Sequence, residues 1–407
     1  MKHPILRIVI LGLTRDRASA FTAFVFLTCA AFAQQSSMDN VLQQVRTNNK
    51  RLAASAQELE ALRLRERTGL SLPDPTVDFD YMSGSPVSAG AQTDLTIAQA
   101  FEFPTAYGAR RNVADLRTTQ HEQDLIATRR NVLLDAQRTC IALVHANKRA
   151  ALFERRHASV LRFRDGMRAR FAQEAATILD LNKAELLEAG IAADKRSAEM
   201  ERQALLQHLV ELNGGTPIAF ADTLYPAAQA LPPFEEYEAA MEAVDPDLKK
   251  LEAESQVSEQ QTRAYKATGL PQFEVGYRYQ GILGTTFNGV HAGLTLPLWS
   301  NRNKVKQQKQ WTTAYGLLTE EHRVEHYYEA QHLYNRTVEL RAIATDFSTR
   351  LGATQNEALL EKAFNARQIT VLQYQMELML RQESMDRWLG LERDQHLATA
   401  ELLKYML

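Results

Sequence analysis

One pentapeptide of the chain, HRVEH at residues 322–326, matches the His-x-x-Glu-His spelling of an inverted zinc peptidase. Histidines four residues apart share one face of a helix, so His322 and His326 could bind Zn²⁺ with Glu325 between them. The chain repeats itself at a spacing of about 195 residues, and the counterpart of the pentapeptide, residues 129–133, contains neither His nor Glu. We therefore interpret it as a solvated helix face, with a loosely metal-binding patch as the alternative, and expect no catalytic residue, metal site or cofactor.

Polar or small side chains also alternate with apolar ones in four short segments, residues 77–81, 94–103, 273–279 and 290–296. A period of two predicts β-strands with one apolar and one polar face. Each segment is about as long as a tilted membrane strand, and Gly, Ser and Thr are frequent within each pair, as in hairpin loops. The polar-face side chains that we expect to face a lumen are Asp78, Asp80, Glu274 and Arg278.

Four strands cannot form a closed wall within one chain. Backbone groups in lipid must all be hydrogen-bonded, so an open four-stranded sheet is not stable there. Two copies would give eight strands, whose interior is nearly filled by side chains, whereas three copies give twelve strands and leave a lumen. We therefore predict a homotrimer with a 12-stranded barrel, and a soluble sandwich with one solvated face is the alternative.

Two long stretches, residues 110–176 and 303–369, lack proline and contain little glycine. Each has 67 residues and would be roughly 100 Å long as one helix. Such helices must pack against each other along their length, and apolar residues recur at coiled-coil spacing. The predicted fold class is mixed α/β and mostly α, with four transmembrane strands and long periplasmic helices. Leading helices are predicted at about 40–67 and 247–266, and return helices at about 179–212 and 372–406.

This order of elements occurs twice along the chain. The Leu-Pro pair at 72–73 recurs at 270–271, and Thr177 recurs as Thr370, 193 positions later. A duplicated unit of helix, two strands, long helix and return helix explains this spacing. We predict repeat 1 at residues 34–213, a linker at 214–240 and repeat 2 at 241–407.

Residues 1–33 differ from the rest, because four Lys or Arg precede an apolar run that ends in Ala-Phe-Ala at 31–33. This pattern predicts an export signal peptide, with lipidation at Cys29 as the alternative. After its removal Cys140 is the single cysteine, so no intramolecular disulfide can form, and its seven-residue spacing from Leu133 predicts a packed thiol. The 47 Lys or Arg nearly balance the 49 Asp or Glu, which argues against nucleic acid as a partner.

From about residue 40 to 407 the chain resembles the TolC-like outer-membrane efflux channel family and, within it, the CzcC-like proteins of heavy-metal efflux. The order and the twofold occurrence of the motifs make the resemblance specific, although no single motif is diagnostic. The motifs are PQFEVGY at 271–277, LTLPLWSNRN at 294–303, the weaker AFEFP at 100–104, TILDL at 177–181 and TVLQY at 370–374.

The resemblance implies a homotrimer in the outer membrane that extends into the periplasm as an α-helical tunnel. It also implies a periplasmic adaptor protein, an inner-membrane efflux pump and outer-membrane lipid as partners, and a passive duct that does no chemistry. An aperture would lie at the helix tips, where the candidate residues are Thr177, Leu179, Asp180, Thr370, Leu372 and Gln373.

Asp180 is the carboxylate among these candidates. Three copies of it could concentrate cations, whereas the alternative is an exposed Asp near the start of its own helix. Relatives often have glycine before each tip turn, where this chain has Glu174 and Arg367, and carboxylates in the second tip segment, where it has Gln373. The family's tip geometry therefore does not transfer directly.

The function predicted from these features is the outer-membrane channel of a tripartite efflux system that exports metal cations or small toxic compounds. The alternatives are a type I protein-secretion channel and a soluble periplasmic coiled-coil scaffold. A scaffold would fractionate without detergent, whereas a channel would be an outer-membrane trimer.

Overall fold

The structure is a computed structural model that describes residues 37–227, 230–354 and 357–407. The predicted export signal and Cys29 lie outside the described residues. The first half contains α1 (Ser37–Asn48), α2 (Lys50–Arg67), β1 (Thr76–Ser83), β2 (Ala91–Phe101), α3 (Pro104–Ala172) and α4 (Ile178–Leu212). The second half contains α5 (Phe234–Glu242), α6 (Pro246–Ala267), β3 (Gln272–Ile282), β4 (Thr285–Thr295), α7 (Lys304–Ala353), α8 (Glu357–Asn365) and α9 (Val371–Leu402).

The predicted mixed α/β, mostly α fold is confirmed for the single chain, because long helices flank a small antiparallel sheet. α3 has 69 residues and is roughly 100 Å long. It begins with Pro104, which is tolerated at a first helical position because the N–H of that residue has no intrahelical partner. None of the described helices is long and apolar enough to span a lipid bilayer.

The second long helix differs from the expected continuous helix over residues 303–369. α7 ends at Ala353, directly after Gly352 and before Thr354, and α8 begins at Glu357. Glycine and β-branched threonine are weak helix formers, which favours an end at this point. The predicted linker also contains a helix that the sequence did not indicate, since α5 begins at Phe234.

The first leading helix was predicted as one helix and is instead two helices that meet at Asn49. The Asn49 backbone is extended, and its Oδ1 accepts a hydrogen bond from Leu52 N at 3.0 Å. Its Nδ2 donates to Leu212 O at 2.7 Å. Gly214 has φ +66° and approaches so closely that a Cβ there would lie 2.2 Å from Asn48 O. The end of α4 therefore docks on this break, and only glycine fits the contact.

The strands are arranged in the order β1-β2-β3-β4, and each neighbouring pair is antiparallel. Val77 pairs with Ile97, Ile97 with Tyr277, and Tyr277 with Val290. Because side chains alternate along a strand, this register keeps the apolar residues of all four strands on one face. The two-faced strand pattern expected from the sequence is thus present.

The main core lies where α1, α3 and α4 meet. Val41, Val45, Leu133, Leu143 and Leu209 are each at most 2% exposed. Cys140 belongs to the same cluster and is fully buried, as its spacing indicated. Burial raises the pKa of its thiol to about 12, so it behaves as a small apolar side chain.

Candidate functional site

The four lumen candidates on the strands lie on one face of the sheet. Asp78, Asp80, Glu274 and Arg278 share this polar face with Asp94. Asp80 pairs directly with Asp94 across the β1–β2 ladder. Arg278 Nη2 lies 3.9 Å from Asp94 Oδ2. Carboxylates therefore outnumber cations on this face, and the resulting negative potential favours cations over anions in the adjacent space.

Along β2 the polar face is more enclosed than the apolar face, whereas Asp78 and Asp80 on β1 are exposed. Asp94 is 5% exposed, although the opposite face shows Phe79 at 66% and Tyr277 at 46%. In a water-soluble sheet the reverse distribution is expected, because apolar side chains are the ones that leave water. The large exposed apolar face therefore marks a surface that contacts another apolar medium or chain.

Two functional candidates of this face were missed. Asp94 is its most buried carboxylate and accepts a hydrogen bond from Gln92 Nε2 at 3.0 Å. His291 Nε2 lies 3.1 Å from Glu274 Oε1. The same two-residue alternation that selected Asp78 and Glu274 includes both residues, so the pattern could have identified them.

The first helix tip joins α3 to α4 through residues 173–177. Ala175 N donates to Arg170 O at 2.8 Å, and Glu174 N donates to Phe171 O at 3.0 Å. These two bonds form a Schellman motif, in which Glu174 has the left-handed φ of +60°.

Thr177 and Asp180 then start α4 as a capping box. Thr177 Oγ1 accepts from Asp180 N, and Asp180 Oδ2 accepts from Thr177 N, each at 3.2 Å. The hydrogen bond from the Thr177 hydroxyl lowers the pKa of Asp180. Asp180 therefore stabilises the start of its own helix, and the residue is half-buried there.

The second tip repeats this geometry 193 residues later. Arg367 has φ +59°, and Gln368 N donates to Ala363 O at 2.9 Å. Thr370 and Gln373 form the second capping box. The two remaining aperture candidates, Leu179 and Leu372, are 66% and 59% exposed. The six tip candidates thus form two equivalent groups, four residues serving as caps and two as exposed apolar side chains.

Three aromatic rings join the two tips within one chain. Phe163 of α3 lies 5.5 Å from Tyr374 of α9, and Phe364 of α8 lies 4.6 Å from Tyr374, measured between ring centroids. Arg170 lies 5.1 Å from the Phe364 centroid. Stacked rings and a cation over a ring add to the apolar contact, so the two hairpins are held together close to their ends.

The interpretation of residues 322–326 as a solvated helix face was wrong for its two histidines. His322 Nε2 lies 2.6 Å from Asp245 Oδ2 and His326 Nε2 lies 3.9 Å from it, while the Asp245 side chain is 1% exposed. Asp245 Oδ1 also accepts from Asp247 N at 3.0 Å and so caps α6. Glu325 points to solvent. Among the described residues, no group of three or more His, Cys, Asp or Glu is arranged to hold a metal ion.

A second contact of the chain that the sequence did not indicate lies in the middle of the helical body. Lys148 Nζ forms an ion pair with Glu392 Oε2 at 2.6 Å and lies 4.6 Å from the Tyr225 ring centroid. The ring of His396 stacks on the ring of Tyr225, with 4.3 Å between the two centroids. These contacts fix the segment before α5 to α3 and α9.

This architecture, a small antiparallel sheet continued by very long helices with two capped tips, is shared with solved structures of outer-membrane channels. Solved structures with this fold cover 91% of the chain. A membrane protein from Pseudomonas aeruginosa is 16% identical with a TM-score of 0.77 over 90% of its length. The MtrE outer membrane channel of Neisseria gonorrhoeae is 15% identical with a TM-score of 0.68 over 88% of its length. The outer membrane protein VceC of Vibrio cholerae is 14% identical with a TM-score of 0.69 over 95% of its length.

At these identities the likeness is one of fold. No family model matches the chain, and no curated protein matches it.

Proposed function

We propose that the protein is the outer-membrane channel of a tripartite efflux system, a passive duct that extends into the periplasm. The exposure of the sheet carries the proposal. Its apolar face, with Phe79 and Tyr277, is open, whereas its polar face encloses Asp94. A barrel wall in lipid has this distribution, with apolar side chains outside and polar ones in the lumen. The shared fold with solved outer-membrane channels supports the same position.

Three copies of the chain would complete the wall, and the internal repeat supplies the contact between them. Within the chain α9 packs on α3, where Lys148 is paired with Glu392. The residue 193 positions after Lys148 is Arg341 on α7, and the residue 193 positions before Glu392 is Glu199 on α4. These two equivalent residues also carry opposite charges. In a closed ring, α4 of one copy would lie on α7 of the next as α9 lies on α3.

The exposed tips are the surface that we assign to a periplasmic adaptor, which would join the channel to an inner-membrane pump. For the substrate we favour metal cations, as in the CzcC-like branch, over organic compounds. The polar face supports this choice because its negative charges predominate over the positive charge of Arg278. The carboxylates are those of Asp78, Asp80, Asp94 and Glu274. Conduction would be passive, because a wide aqueous pore needs no chemical step.

The test introduces one positive charge on either face of the sheet. Phe79→Lys on the apolar face should reduce recovery of a heat-modifiable, detergent-extracted trimer from the outer membrane, because a lysine facing lipid costs about 2–4 kcal/mol. Thr96→Lys on the polar face is the matched control and should leave assembly intact. Deleting residues 76–103 should abolish the pore in planar bilayers. A processed protein that fractionates without detergent as a monomer would reject the proposal.

A further inference from the structure

Lys and Arg are concentrated where four helices meet the sheet. Because the strands alternate in direction, α2 and α6 end, and α3 and α7 begin, at the same end of the sheet. The segments 60–75, 102–117, 259–271 and 297–309 together contain twelve Lys or Arg and six Asp or Glu. The whole chain has slightly more acidic than basic residues, so this end of the sheet carries a local excess of positive charge.

Side-chain contacts hold the four helix ends together. Arg117 of α3 lies 3.5 Å from Glu66 of α2 and 3.5 Å from Gln261 of α6. Asn301, which precedes α7, donates through Nδ2 to Tyr265 O of α6 at 3.0 Å. The cations of these ends therefore form one continuous surface and not four separate ones.

Most of the cations on this surface are not neutralised by the chain. Arg63, Arg65, Arg110 and Arg117 have a carboxylate partner. The other eight are exposed, and no carboxylate of the described residues forms an ion pair with them. We call these eight the cation belt: Arg67, Arg111, Arg263, Lys266, Arg302, Lys304, Lys306 and Lys309.

The stability of α7 does not explain the cations at its start. Lys304 and Lys306 lie in its first turn, which contains no acidic residue, and Asn303 before it has φ +67° and makes no side-chain cap. The N-terminal end of a helix carries a partial positive charge, so cations there are unfavourable by about 0.3–1 kcal/mol each. A local conflict of this kind indicates selection for a function, and an anionic partner would remove it.

An exposed apolar band lies directly next to the belt. Along β4 and the residues after it, Leu294 is 59%, Leu298 is 69% and Trp299 is 77% exposed. Tryptophan favours the boundary between hydrocarbon and headgroups, and Lys and Arg favour the headgroup side of that boundary. The order from apolar strand face to Trp299 to Lys304 matches the order of layers in a bilayer.

We propose that the cation belt binds the headgroup phosphates of anionic glycerophospholipids in the leaflet that meets the helices. The inference rests on the proposed position of the sheet in a membrane. Charge complementarity supplies the attraction, and the acyl chains would lie on the apolar face that continues from Trp299. The belt would then fix how far the helices stand from the bilayer.

The test uses Trp299 as the reporter, in a protein that carries Trp311→Phe and Trp388→Phe because the chain has three tryptophans. The purified full-length protein is reconstituted into phosphatidylcholine vesicles that contain either dibrominated phosphatidylglycerol or dibrominated phosphatidylcholine. Bromine quenches nearby tryptophan, so the two quenching curves give the association constant of the anionic lipid relative to the zwitterionic one.

We expect the relative constant to exceed about 5 at low salt, since each cation near an anionic surface contributes about that factor, and to fall as salt rises. The variant Lys304→Gln, Lys306→Gln, Lys309→Gln removes three of the eight belt cations and should lower the constant severalfold. The control Lys183→Gln, Arg196→Gln, Lys362→Gln changes three exposed cations outside the belt and should leave it unchanged. Insertion with equal quenching by both lipids overturns the belt and leaves the channel intact. Failure to insert into either vesicle overturns both proposals.

Discussion

Glu174 and Arg367 are 193 residues apart in the chain and have the same left-handed backbone, with φ +60° and +59°. Each is followed by the long-range hydrogen bond of a Schellman motif, from Ala175 N to Arg170 O and from Gln368 N to Ala363 O. Both tips therefore turn in the same way without glycine. An L-residue in this region is strained by about 1–2 kcal/mol.

Replacement of both residues by glycine should therefore stabilise the protein. We expect Glu174→Gly and Arg367→Gly each to raise the free energy of unfolding by about 0.5–1 kcal/mol, because the relief of strain exceeds the entropy that glycine loses on folding. Thermal unfolding of the detergent-solubilised protein measures the gain. Glu174→Ala removes the same carboxylate but keeps the Cβ, so an equal gain in this control would contradict the explanation.

Asp180→Asn separates the two roles considered for Asp180. An asparagine keeps an oxygen that can accept from Thr177, so α4 should remain capped and the melting temperature should change little. If three carboxylates converge at an aperture, the same change should lower cation conductance in a planar bilayer. Lys183→Gln, three residues further on, is the control for a general charge effect. Unchanged conductance in Asp180→Asn would limit Asp180 to its capping role.

Asp245 should be more important for stability than its exposed neighbours. Asp245→Ala removes the cap of α6 and the acceptor of His322, which lie 3.0 Å and 2.6 Å from its oxygens. We expect a loss of about 2–3 kcal/mol in unfolding free energy. Glu325→Gln should have almost no effect, and neither zinc nor a chelator should shift the melting temperature. A large effect of Glu325→Gln on stability, together with a dependence on zinc, would instead support a zinc site at residues 322–326.

The contrast between Asp245 and the sheet shows what the sequence could reveal. The two faces of the strands depend on a period of two within a few residues, so Val77 and Asp78 could be assigned to opposite faces directly. The partner of His322 lies 77 residues away and carries no local signal. The helix break at Asn49 likewise depends on a distant residue, Gly214, and has no local sequence signal. Patterns within one element were therefore readable, whereas contacts between distant segments were not.

His145 should make stability depend on pH. Burial, and then the nearby Arg393 and Arg149, lower the pKa of His145 to about 4. Below its unfolded pKa near 6.5 the unfolded chain binds a proton that the folded chain does not, so stability falls as the pH drops from about 6.5 towards 4. The loss should reach up to about 3 kcal/mol for this residue.

The measurement compares chemical unfolding of the wild type with that of His145→Gln between pH 7.5 and 4.5. The difference in unfolding free energy between the two proteins should shift in favour of the variant as the pH falls. Burial also lowers the pKa of His396 to about 4, and His396→Gln should add a similar shift. A pH-independent difference for both variants would show that neither histidine is neutral in the folded state.

The internal repeat makes a contact between copies testable at two residues. If α4 of one copy lies on α7 of the next, Glu199 and Arg341 should meet as Glu392 and Lys148 do within the chain. Glu199→Arg or Arg341→Glu alone should then weaken the trimer by placing like charges together, and the double variant should restore it. The midpoint temperature of trimer dissociation measures this coupling. Glu199 is paired with Arg202 at 2.7 Å in its own helix, but such an exposed pair contributes less than about 1 kcal/mol, so its loss cannot produce the rescue. Arg202→Glu combined with Glu199→Arg is the matched control, since it restores the pair within the helix and should leave the trimer weakened.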